Sequence, residues 1–132
     1  MPFEELHHTA DWAIRVWAAD LPGLFSESAR GMNSLSGAQP APGARLSRAF
    51  HAEASDAESL LVLFLSELVY AAEQERMVFD EFEIELNGTN LIASMSGAPI
   101  LSINKSIKAV TYHNLQVRQT SAGFEVEIVF DV

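Results

Sequence analysis

Two clusters of chemically capable residues lie near opposite ends of the 132-residue sequence. His7-His8-Thr9-Ala10-Asp11 directly precedes an apolar run, and Lys108-Ala109-Val110-Thr111-Tyr112-His113 comes shortly before Phe130-Asp131-Val132. Polar groups this dense are costly for a small domain to bury without a use, which points to a site made by bringing the two ends together. The carboxylates of Asp11 and Asp131, with the α-carboxylate of Val132, are hard oxygen donors. Converging, they would suit Ca²⁺ or Mg²⁺, with Ca²⁺ tolerating the more irregular geometry. Taken singly, each aspartate reads more readily as a turn cap or a solvated strand end, because lone aspartates are mostly exposed.

The remaining polar residues are less specific. His7, His8 and His113 could ligate a transition metal or exchange protons, but adjacent histidines on an extended segment point to opposite faces. No H-E-x-x-H or Cys/His set accompanies them. His51 falls in a predicted strand with no evident partner and receives no role. If residues 108–119 form a strand, Lys108, Val110 and Tyr112 share one face and Ala109, Thr111 and His113 the other, an ordinary half-buried pattern. There is no phosphate-binding G-x-x-x-x-G-K-[ST] loop and no G-x-S-x-G nucleophile elbow. Glu81, Glu83 and Glu85 read as a solvated strand face, or as a surface for a basic partner.

Several elements must hold these clusters. Residues 12–18 alternate as a strand, with Trp12, Ile14 and Val16 on one face. Asp20 is an N-cap with Pro22 in the first turn, opening an amphipathic helix to about residue 33. Residues 34–44, rich in Pro, Gly and Ser, form a loop, and Leu46 to Ala54 a second strand. Ser55-Asp56-Ala57-Glu58 reads as a capping box in which Ser55 and Glu58 satisfy each other's amides. It starts a central helix, residues 56–75, apolar nearly all round and so buried on more than one side. Residues 79–87 alternate with a break after Phe79 that reads as a bulge or as the strand start, Asn87-Gly88 signals a hairpin, and residues 89–97 return as its partner. Gly97-Ala98-Pro99 interrupts the pattern and 100–107 is irregular or extended. Lys108–Gln119 and Phe124–Val132 close the chain as strands. The order β-α-β-α-β-β-β-β predicts an α+β fold, two helices packed on a largely antiparallel β-sheet, in one domain spanning residues 1–132.

Composition narrows the partners. Eighteen acidic side chains against eight basic ones give a net charge of −10, which argues against autonomous nucleic-acid binding, where Lys and Arg neutralise phosphates. The same charge suits docking to a basic protein. Cysteine is absent, so disulfides, thiolate metal sites and a cysteine nucleophile are excluded. No signal peptide and no apolar run of membrane-spanning length is present, and a soluble cytoplasmic protein is expected.

H-T-A-D at residues 8–11, D-A-E-S-L-L-V from Asp56, K-A-V-T-Y-H at 108–113 and the terminal D-V together resemble the archease family, small proteins that assist the RtcB-type RNA ligase of tRNA splicing. The resemblance runs from residue 3 to residue 132 and is weakest in the middle loop. It implies a non-catalytic activator that promotes guanylylation of the ligase and its multiple turnover. It also implies a divalent-metal site, calcium before magnesium, at Asp11, Asp131 and Val132. His8 would shape the metal loop by hydrogen bonding, and His8, Thr9, Lys108, Thr111 and His113 would border the same functional patch. Two other classes stand beside it: a chaperone or specificity factor for another RNA-modifying enzyme such as a tRNA methyltransferase, and, last, a stand-alone metal-dependent hydrolase.

Overall fold

The structure is a computed structural model that describes residues 2–7 and 12–132. Its described elements are β1 (Phe3–His7), β2 (Trp12–Ala18), α1 (Leu21–Ser36), β3 (Gln39–Pro40), β4 (Leu46–Glu53), α2 (Ala57–Gln74), β5 (Met77–Asn87), β6 (Asn90–Ser102), β7 (Ala109–Val110), β8 (Arg118–Thr120) and β9 (Gly123–Asp131). This is the expected α+β class, and every strand pairing is antiparallel. The strands divide over two sheets. One places β9 between β2, which also pairs β1, and the short strands β7 and β8; the other centres on β6, which pairs β3, β4 and β5.

Both helices touch strands of both sheets, which explains their patterns. α1 turns Leu24, Phe25, Ala29 and Met32 inward and is capped as expected, the Asp20 carboxylate accepting the Gly23 amide at 2.8 Å. It runs three residues beyond the expected end and stops at Gly37, whose φ of +69° lets its amide reach back to the last turn, the left-handed cap that glycine adopts readily. α2 buries Leu60, Leu61, Phe64, Leu65, Leu68 and Val69, leaving Leu63 and Tyr70 on its exposed line. Phe64 stacks on Phe25 of α1 and meets Phe82 of β5 edge-on, so one side chain joins three elements.

The start of α2 differs from the capping box. Asp56 is the N-cap and its carboxylate accepts the Ser59 amide at 2.7 Å. Glu58 turns away and accepts the Val117 amide at 2.8 Å, tying the helix to the segment before β8. Ser and Asp are comparable caps, and the distant use for Glu58 shifts the frame by one residue. The Ser59 amide bond, followed by the Ser59 and Ser55 hydroxyls, holds the Asp56 carboxyl below its ordinary 3.8. A depressed carboxyl stabilises the fold above its unfolded pKa, and that contribution fades as pH falls through the folded value. Asp56→Ala should therefore lower the melting temperature at pH 7, and melting curves down the pH scale should show the gap to wild type closing below about pH 4.

Three other elements depart from expectation, and the break after Phe79 resolves to one of its two readings, a bulge or the strand start. Phe3–His7 is a strand, paired to β2 from Phe3↔Val16 to His7↔Trp12. Residues 39–40 form a short strand inside the expected loop. β6 does not stop at Gly97-Ala98-Pro99 but continues to Ser102, with Pro99 opposite Met77. The break after Phe79 is a bulge, with the register shifting between Phe79 and Glu81. Gly97 sits opposite it, where a Cβ would lie 2.0 Å from the Val78 carbonyl oxygen. Beyond it Glu81, Glu83 and Glu85 face solvent, as their alternation implied. The hairpin closes with Asn87 paired to Asn90, and Gly88 alone supplies the positive φ, +61°.

Candidate functional site

β9 joins the strand that follows the first cluster to the strand that carries the second. Its last residues pair on one side with the start of β2, Trp12↔Phe130, and on the other with β7, Ala109↔Asp131 and Val110↔Phe130. The Lys108 amide donates to the Asp131 carbonyl at 2.8 Å, and the Thr111 amide and hydroxyl both donate to the Val129 carbonyl at 3.1 and 2.9 Å. Thr111 thus serves the backbone, and its hydroxyl in turn accepts the His113 amide at 3.3 Å. The expectation that the terminal strands are neighbours is met.

The face assignment for residues 108–119 is not. Only Ala109–Val110 and Arg118–Thr120 are strand; between them the Leu115 amide closes a turn on the Tyr112 carbonyl, and Asn114 takes φ +50°. Lys108, Val110 and Tyr112 therefore do not form one stripe. Val110 is buried, while Lys108, Tyr112 and His113 are exposed. The His113 ring lies 3.4 Å from the Asn114 side-chain amide. His51, given no role, has Asn90 as a neighbour at 3.1 Å.

His8, Thr9 and Asp11 lie outside the described residues. The described part of the candidate metal site is Asp131 and Val132. Asp131 is exposed, and its carboxylate makes no ion pair among the described residues. Among those residues no group of three His, Asp or Glu gathers as a metal cage. The donors present are oxygen alone, which fits a hard divalent cation rather than a transition metal.

One contact at the site has no counterpart in the sequence motifs. The Lys105 ammonium stands 5.6 Å from the centre of the Trp12 ring, within cation–π range. Its amide, with that of Asn104, donates to the Ser36 carbonyl, which fixes the loop to the end of α1. Lys105 and Lys108 are the chain's two lysines, and both flank this edge of the sheet. Their clustering was visible in the sequence; the aromatic partner was not.

Both sequence and fold have known relatives. The description "Archease protein family (MTH1598/TM1083)" matches residues 3–132. The chain belongs to the archease family. A protein archease from Methanopyrus kandleri is 33% identical over 140 aligned positions, covering 100% of both chains. One from Methanosarcina barkeri is 30% identical, covering 98% of this chain and 95% of its own. The solution structure of Methanobacterium thermoautotrophicum protein 1598 has a similar fold, with a TM-score of 0.73 at 19% identity over 99% of each chain. The archease assignment thus rests on sequence along nearly the whole length, and the fold agrees with it. No helix among the described residues is long and apolar enough to cross a membrane.

Proposed function

We propose that this archease is a non-catalytic accessory protein of an RtcB-type RNA ligase, promoting its guanylylation and returning it to the competent state after each turnover. The observation that carries the reading is the arrangement of β2, β9 and β7. It gathers the start of β2, the Lys108–Thr111 segment and Asp131 at one end of the sheet, segments that carry or adjoin motifs of the family resemblance. A divalent cation, calcium before magnesium, would be held by the carboxylates of Asp11 and Asp131 and by oxygen at Val132, and when bound it would supply positive charge to a strongly acidic surface. The chain's own part is to hold Asp131 rigid through the Lys108 and Thr111 backbone bonds and to dock through its net charge of −10, which makes encounter with a basic partner fast and salt-sensitive.

The direct test is RNA ligation at limiting cognate ligase. Substoichiometric amounts of this chain are expected to convert a single-turnover reaction into a sustained one. A folded, metal-replete sample that changes neither guanylylation nor turnover would remove the ligase from the reading.

A further inference from the structure

A groove of about 270 Å³ separates the exposed side of α2 from β7, lined by Ser66, Val69, Tyr70, Glu73, Lys108 and Val110 among others. We infer that this groove is a partner-docking surface, filled by an extended partner segment that lays an apolar side chain against Val69, Tyr70 and Val110 and presents an acidic side chain to Lys108. The inference rests on the accessory-protein reading above and adds to it the contact surface.

Size, charge and position each favour that occupant. The groove is smaller than the roughly 300–1,000 Å³ of small-molecule sites and is not an enclosed cavity, so it suits side chains of a docked protein rather than an enclosed metabolite. Lys108, like Lys105, Arg76 and Arg118, makes no ion pair among the described residues, whereas Arg15, Arg30, Arg45 and Arg48 are each matched to a carboxylate. In a chain with 18 acidic side chains, an ammonium beside an apolar wall and without a carboxylate partner among the described residues is complementary to an incoming carboxylate. Tyr70 is 56% exposed on the outer line of α2; tyrosine is a residue type that dominates binding energy where it is covered. The Lys108 amide donates to the Asp131 carbonyl, so a segment seated in the groove lies against the same sheet edge as the candidate metal site.

The test is direct binding of this chain to a cognate RtcB-type ligase, with ligation turnover measured in parallel. Tyr70→Ala should raise Kd about 10-fold or more. Tyr70→Phe should keep most of the affinity. Lys108→Glu should weaken binding, most at low salt. Leu63→Ala, two turns away on the same helix line and outside the groove, should leave Kd within about threefold. If wild type binds and activates while Tyr70→Ala binds equally well, the groove is not the contact. Equal losses at Leu63 and Tyr70 overturn it too, since the whole helix face would then be engaged. If wild type neither binds nor activates, the ligase reading falls and the docking surface with it.

Discussion

Asp131→Ala should fold as wild type does and fail to sustain ligation. The two functions of residue 131 are separable. Its carbonyl accepts the Lys108 amide and pairs β9 to β7, and alanine keeps that bond. Its side chain is exposed and makes no ion pair among the described residues, so deleting it should move stability by no more than about 0.5 kcal/mol. If the carboxylate is a metal ligand, its loss should weaken divalent-cation binding at least about 10–100-fold. Asp131→Asn, which keeps the shape and removes the charge, should behave alike. Calorimetric Ca²⁺ titration and the turnover assay give the two readings. Full activation by a folded Asp131→Ala protein would end the metal-site proposal while leaving the family assignment intact.

The second large effect concerns the core. Phe64→Ala empties a fully buried position whose ring stacks on Phe25 at 6.1 Å and meets Phe82 edge-on at 5.8 Å. Aromatic-to-alanine changes in cores cost about 3–5 kcal/mol, transfer and cavity terms together. Domains of this kind are stable by only about 5–15 kcal/mol, so the melting temperature should fall by roughly 10–20 °C. Phe64→Leu should recover much of the loss. Phe25→Ala combined with Phe64→Ala should be non-additive, because the two rings share one contact. Urea unfolding checks this, and a loss below about 1 kcal/mol for Phe64→Ala would mean that the three-element junction relaxes to fill the hole.

Local chemistry made some elements legible and tertiary context decided the others. Asp20, Asn87-Gly88 and the alternation of Glu81, Glu83 and Glu85 each carry their own signal, and each falls where expected. Phe3–His7 has too few apolar residues to declare itself and becomes a strand because β2 offers it an edge. Residues 108–119 look extended by composition, but Asn114 adopts a left-handed conformation and splits them. The Ser55 and Asp56 caps are equivalent in sequence, and only the bond from the distant Val117 amide to Glu58 separates them. The site follows the same division. The donors could be named one by one, yet nothing in their spacing says that β9 sits between β2 and β7.

β9 is made after every strand it pairs with, and Trp12 finds Phe130 across nearly the whole chain. On the ribosome the two sheets therefore have different histories. β5 and β6 join through a two-residue turn and can zip soon after they emerge. β2 must wait, paired only with β1, until β9 has emerged, and such distant pairings are slow to form. During that interval the free side of β2 is an unsatisfied edge open to chaperones or to other nascent chains. The ordering also delays one junction: the Lys108 amide meets the Asp131 carbonyl only when β9 pairs with β7.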